Sequence, residues 1–317
     1  MIFLVRGLAV SLAFYLALYT ALSLLVVSGW ELARNGSRNF VAKRLADLLF
    51  ALRVLPVIVA SVFTLAFVIP SFLELEPRAS VELIGKLPLA LGSLGLLLLA
   101  AGAGNAIAGY LKTLRTVNEW LAGATVVSSR ASVPVFRTPS MAPVLTLAGI
   151  RSHKMLLSEA AAALLTPLEL EAALQHEVAH VRRHDNLRKL LFRLCAFPGM
   201  SRLETAWGEA EEMLADDTAV SSAQDAVELA SALIKLSRLA PVAPAAALTT
   251  SLGQPATTSV NNRVRRLMTW DEGRAASRPR KVQGYFLGAF SVIGLTVITN
   301  YGAILRAMHA LTEWMVR

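Results

Sequence analysis

His176 and His180 stand four residues apart, in the run His176-Glu177-Val178-Ala179-His180. On a helix, positions i and i+4 share a face, so the two imidazoles can hold one metal ion between them. Glu177 stands one position past the first histidine. From there its carboxylate can reach a metal-bound water without becoming a ligand. Zinc lowers the pKa of such a water to about 7, and a carboxylate that takes its proton leaves a hydroxide to attack a carbonyl. These residue types at this spacing predict a zinc hydrolase with Glu177 as general base. The bland alternative is a pair of histidines on a solvated helix face.

Catalytic zinc takes three protein ligands and keeps one position open. Continuation of the motif as HExxHxxGxxH fails, because Arg183 and Asn186 stand where the glycine and the third histidine would be. His184 lies on roughly the same face but a turn too far along the axis. Acidic candidates follow on the next predicted helix: Glu204, Glu209, Glu211 and Glu212. Of these, Glu212-Met213-Leu214-Ala215-Asp216 places two carboxylates four apart. One can ligate the metal while the other holds a histidine's far nitrogen and fixes its tautomer. Asp216 is expected in the second role, with Asp217 as its neighbour. The bland reading of this acidic run is a solvated helix face. A single cysteine, Cys195, excludes a disulfide framework and any Cys-x-x-Cys metal site.

The elements that must position these residues can be read from caps and breakers. Thr166-Pro167-Leu168-Glu169 is a capping box with proline at the first helical position. That helix is expected to continue to Pro198-Gly199, carrying the motif and Cys195. Ser201-Arg202-Leu203-Glu204 repeats the capping signal and opens a helix to about Ser221, and a third runs from Asp225 to Arg238. Before the motif come short β-type runs, Ala124–Ser128, Val133–Phe136, Val144–Leu147 and Met155–Ser158, punctuated by Pro134, Pro139, Pro143 and Gly149. Residues 240–259 are rich in Ala, Pro, Thr and Ser and read as a mobile loop.

The remainder of the chain is far more apolar. Of 317 residues 55% are hydrophobic and 17% charged, too apolar for disorder and for an ordinary soluble enzyme. Four stretches reach the roughly 20 apolar residues a spanning helix needs: about 2–29, 48–70, 87–111 and 284–305. The first exceeds a signal-peptide core and lacks a cleavage site, so it reads as a retained span. In the third, Gly92 with Gly95 and Gly102 with Gly104 permit close helix contact. Basic residues weigh ten to five toward the 31–47 loop and the flanks of 112–281. The excess predicts both termini outside and residues 112–281 in the cytoplasm. Trp30, Trp120 and Trp314 fall near expected interfaces. The formal charge of +9 sits largely at span ends, which argues against a nucleic-acid binder.

HEVAHVRRHDN followed by EAEEMLADD resembles the integral-membrane zinc metallopeptidases of the BlaR/MecR type, and the layout of three spans, a gluzincin-type domain and a fourth span is similar. The likeness covers about residues 1–305, with Asn262-Arg263-Val264-Arg265-Arg266-Leu267 as a weaker part. It implies His176, His180 and Glu212 as zinc ligands, Glu177 as base, and Asp216, with Asp185, as carboxylates supporting the histidines. It also implies an extended substrate held on an edge strand, for which Val144–Leu147 or Met155–Ser158 are candidates. Only about twelve residues follow the fourth span, without a Ser-x-x-Lys motif, so the extracellular β-lactam-binding domain of those sensors is not expected.

The expected architecture is a mainly α membrane protein. Residues 1–111 hold three transmembrane helices, 112–281 a cytoplasmic α+β zincin-like domain, and 282–317 a fourth helix with a short extracytoplasmic tail. The expected function is that of a zinc endopeptidase of the bacterial cytoplasmic membrane, embedded in the lipid bilayer. It would cleave a cytoplasmic or membrane-associated protein, a repressor or itself, in signalling, under the control of a regulatory partner protein. Two other readings remain open. A membrane quality-control or prenyl-protease-like peptidase shares HExxH and ExxxD but distributes its spans differently. A non-enzymatic signalling or scaffold protein would carry a vestigial metal site.

Overall fold

The computed structural model describes residues 2–33, 41–77, 85–127, 133–139, 144–239, 248–251, 257–270 and 295–316. Three of its helices are long and apolar enough to cross a membrane. The first is α1 (Ile2–Ala33). The second is continuous over Ala42–Leu75, made of α2 (Ala42–Phe63), a π-helical turn Thr64–Val68 and α3 (Ile69–Leu75). The π-turn precedes Pro70, whose missing N–H interrupts the regular ladder, and a wider turn absorbs the mismatch. The third is α4 (Lys86–Leu121).

Glycine sets how these helices meet. A Cβ on Gly92 would lie 2.6 Å from the Ala9 carbonyl oxygen, and one on Gly95 2.7 Å from that of Leu12. Side chains there would force α1 and α4 apart. The order of these contacts makes the two helices parallel. α2 runs antiparallel to α1, with Phe14 stacked on Phe63 at 5.8 Å and Tyr15 and Tyr19 packed on Ala60. Arg6 pairs with Glu76 at 2.9 Å where the run begins and ends.

Residues 284–294 of the expected fourth span lie outside the described residues, as do 34–40, 78–84 and 271–283 with their basic residues. Residues 295–299 are helical, and after a turn at Asn300 comes α11 (Tyr301–Val316). The tail expected after about residue 305 is therefore helical to Val316, since nothing in Arg306–Met315 breaks a helix. α11 packs beside α3: Tyr301 Oη donates to the Ala66 carbonyl at 2.8 Å and Ser71 Oγ to that of Leu305 at 3.0 Å.

The remaining elements form one α+β unit. Its sheet has the order β1-β2-β4-β3-β5, from β1 (Thr125–Val127), β2 (Val135–Thr138), β3 (Leu145–Ala148), β4 (Lys154–Ser158) and β5 (Thr249–Ser251). Among the described residues only the β2–β4 pair is parallel. Four strands match the four β-type runs within a residue or two. β5 comes from the stretch read as a loop, of which 240–247 and 252–256 are outside the described residues. Its pairing corrects the edge-strand expectation: β4 is interior, and β5 covers the outer side of β3.

α5 (Glu159–Leu164), α6 (Pro167–Arg183), α7 (Asp185–Leu194), α8 (Ser201–Ala219), α9 (Ala223–Ser237) and α10 (Thr257–Met268) complete the unit. The sheet, α6, α9 and α10 share one apolar core around Leu147, Leu157, Leu229 and Leu233. A second core, with Leu203, Trp207 and Ala210 on Ala42, Ala46 and Leu49, fastens α8 to α2. α4 also runs on past its apolar stretch. Trp120, expected at a membrane interface, is buried with Val117 against Ala148 and Leu156.

Candidate metal centre

α6 begins where its caps predict. Thr166 Oγ1 accepts from the Glu169 N–H and the Glu169 carboxylate accepts from the Thr166 N–H, closing the capping box. Glu169 also receives Ser231 Oγ at 2.5 Å and Lys235 Nζ at 2.7 Å, tying α6 to α9. Burial pushes the Glu169 carboxyl up, but these hydrogen bonds outweigh it and hold the group at about 2.

The helix does not run to Pro198. It ends at His184, which adopts φ 55°, ψ 41°, the left-handed region, and α7 starts at once. This break corrects the single long helix and separates Cys195, the C-cap of α7, from the motif's helix. It also turns Asp185 back: five residues on, it would leave the face of His180 on a straight helix. Instead its Oδ2 stands 2.6 Å from His180 Nδ1. Asn186, beside it, donates to the Gly149 carbonyl at 2.9 Å and so pins the break to the sheet.

Across from α6, α8 presents Glu212 and Asp216. His176, Glu177, His180, Asp185 and Asp216 are all at most 2% exposed. Asp216 Oδ1 stands 3.0 Å from His176 Nδ1. Each histidine therefore has a carboxylate at its Nδ1 and turns Nε2 inward. The two Nε2 atoms are 3.1 Å apart. Glu212 brings Oε2 to 3.5 Å from His176 Nε2 and Oε1 to 3.7 Å from His180 Nε2. His176, His180 and Glu212 thus form a triad whose ligand atoms lie within 4.8 Å of one another.

Three ligands bound tetrahedrally at 2.0–2.2 Å would stand about 3.3–3.5 Å apart. The two Nε2 atoms, at 3.1 Å, and each histidine with its nearer Glu212 oxygen, at 3.5 Å for Oε2 and 3.7 Å for Oε1, lie close to that value. A His176 held in its charged form donates from Nε2 to His180; in the neutral Nδ1–H tautomers both Nε2 atoms are acceptors. A cation resolves that opposition. The donor set of two imidazoles and a carboxylate suits zinc.

Arg263, on α10, is the residue whose role sequence reasoning missed. It is 2% exposed. Its Nε and Nη2 donate to the two oxygens of Asp216 at 2.8 and 2.7 Å, and Nη1 donates to Glu212 Oε2 at 2.7 Å. A signal existed: Arg263 falls between Val260 and Leu267 on the face of α10 that is buried, so a cation occupies an otherwise apolar stripe.

These charges act on one another. Burial pushes the His176 imidazole down, but hydrogen bonds to Asp216 and Glu212 outweigh it and lift the group to about 9. Burial raises Glu212 and Asp216, but the Arg263 guanidinium overcomes this and holds both below the usual carboxylate range. Both stay anionic, as a metal ligand and its support require.

The other acidic candidates lie apart from the triad: Glu209 is exposed on α8. Glu204 pairs with Arg53, Glu211 with Arg183 and Arg188, and Asp217 with Arg266. His184 faces His153 at 6.4 Å. No protein-family model matches the chain, and no curated protein matches it.

Proposed function

We propose that this chain is a membrane-anchored zinc endopeptidase, with His176, His180 and Glu212 as metal ligands and Glu177 as general base. The observation that carries the reading is the triad of two buried histidines and the half-buried Glu212, with a carboxylate near the far nitrogen of each histidine. Zinc held there would polarise a substrate carbonyl and lower the pKa of a water. Glu177 takes the proton of the attacking water and returns it to the departing amine. Asp216 and Asp185 fix the two imidazole tautomers, and Arg263 holds Glu212 and Asp216 in place.

The substrate is a cytoplasmic or membrane-associated protein, by resemblance to the BlaR/MecR type a repressor or the chain itself. Self-cleavage has one structural argument in its favour. Thr249–Ser251 lies as a strand along β3 and touches α6, the position an added substrate strand would take. The orientation follows the basic-residue excess, with the HExxH unit on the cytoplasmic side of a bacterial inner membrane.

The test is zinc content and cleavage of candidate proteins by the detergent-purified chain and its Glu177→Ala variant. One zinc in both, with cleavage lost only in the variant, is expected. Equal cleavage by the two would remove the mechanism.

A further inference from the structure

Between Lys86 and Lys112, α4 carries no charged residue. Those roughly 25 residues are about 38 Å of helix, enough to cross a hydrocarbon core of about 30 Å with some tilt. Lys112 and Arg115, both exposed, mark the level where α4 leaves the apolar layer on the side of the HExxH unit. The helix continues to Leu121 and shares a small core with the sheet through Val117 and Trp120.

At that level a cavity of about 360 Å³ lies between α4 and the turn from β3 to β4. Tyr110, Leu114 and Asn118, four residues apart on one helix face, form its first wall. Tyr110 and Leu114 are each 41% exposed, so the wall is open toward the hydrocarbon, with a tyrosine at the interface. Asn118 stands about 12 Å further out than Tyr110. The facing wall is Ile150, Arg151, Ser152 and Lys154.

Neighbours fix the height of Lys154. It pairs in register with Ala148, which shares the small core with Val117 and Trp120, about 10–15 Å past Tyr110 along α4. Its ammonium stands 6.0 Å from the centroid of the Phe136 ring, and Phe136 packs against that same core. The charge is therefore on the α4 side of the sheet, beyond the apolar wall. The lining holds two cations, Arg151 and Lys154, and no carboxylate. Glu119 does not offset them, because helical spacing puts it with Lys112 and Arg115 on the opposite face of α4 from Tyr110.

An apolar wall open to hydrocarbon, with net positive charge beyond it, is complementary to a lipid whose headgroup is an anion. We propose that this cavity binds an anionic phospholipid of the adjoining leaflet, its phosphate between Arg151 and Lys154 and an acyl chain along Tyr110 and Leu114. A zwitterionic headgroup would bring an ammonium to the same two cations. A free phosphate would leave the apolar wall uncovered. The inference rests on the apolar helices and not on the peptidase reading.

The experiment counts lipid retained by the full chain in native mass spectrometry, from micelles doped with phosphatidylglycerol, phosphatidylethanolamine or diacylglycerol. Wild type should retain phosphatidylglycerol selectively and keep it in excess inorganic phosphate. Arg151→Gln/Lys154→Gln should cut retention about thirtyfold. Lys112→Gln/Arg115→Gln removes the same charge at a similar height outside the cavity and should change retention less than twofold. Leu114→Glu places an anion in the cavity at a half-exposed position where glutamate suits the helix. It should keep its melting temperature and lose the lipid. Equal losses in the two double variants would reduce the effect to diffuse surface attraction and overturn the proposal. So would undiminished retention by Leu114→Glu, equal retention of either other lipid, or displacement by inorganic phosphate.

Discussion

Glu204 and Glu212 stand on the same helix and each faces a buried arginine, Arg53 and Arg263, yet the clusters around them close differently. Around Arg53 the partners match: its donors reach Glu204, two carbonyls and the Met200 sulfur at 2.5–3.3 Å. The chain's own atoms complete that centre. Around Arg263 the guanidinium is equally well matched to Asp216 and Glu212. Beyond it, however, two Nε2 atoms stand 3.1 Å apart beside a carboxylate. Burial without matching partners is costly. One cluster is a finished joint, and the other is a His176–His180–Glu212 group that could hold a metal ion.

The strongest way to break this contrast is at the acceptors. His176→Ala should abolish stoichiometric zinc binding, measured by elemental analysis, and lower cleavage by about 100-fold or more. Retained zinc would mean the cation sits elsewhere. At the finished joint the outcome should be reversed. Arg53→Met leaves two buried carbonyls and Glu204 without their donor, costing about 3 kcal/mol in denaturant unfolding. Its zinc stoichiometry should not change, and a loss of zinc would show that the two clusters are one.

Smaller effects sharpen the comparison. Asp185→Asn and Asp216→Asn each remove a charge behind a histidine, and each should weaken zinc about 10- to 100-fold in chelator competition. Asp216→Asn should be the worse, because it also strands Arg263. The smallest effect lies at Glu169, a third closed cluster. Its folded value of about 2 lies below the ordinary 4.5. Its stabilisation is therefore present above pH 4.5 and lost as the pH falls toward 2. Glu169→Gln should lower stability by about 1 kcal/mol near neutrality and flatten that acid limb.

What could be read from the sequence was local. His176, Glu177 and His180 are set by helical periodicity, and Glu212 with Asp216 by the same spacing on the next helix. The apolar lengths disclosed three helices because span length needs no tertiary contact. What stayed hidden depended on distant partners. His184 in the left-handed region re-aims Asp185, and nothing in RRHDN marks that turn, since the residue is not glycine. The Ser201–Glu204 capping box was legible but does not form: Met200 is the N-cap, and Glu204 turns to Arg53 instead. β5 pairs across about a hundred residues with β3, and three unremarkable threonine and serine positions cannot announce that. The α9 cap, Ser222 with Asp225, was readable in principle, because it has the same three-residue spacing as Thr166 and Glu169.

α8 has a mechanical consequence. Its end near Glu204 is bolted to a membrane helix through Arg53, and Glu212 stands eight residues along the same uninterrupted rod, about 12 Å away. A tilt of about 5° at the bolted end moves the far carboxylate by about 1 Å, several times the ±0.2 Å latitude of a metal–ligand bond. The rod is thus a lever with a short arm, and the alignment of the proposed metal ligand Glu212 is geared to the posture of the bundle.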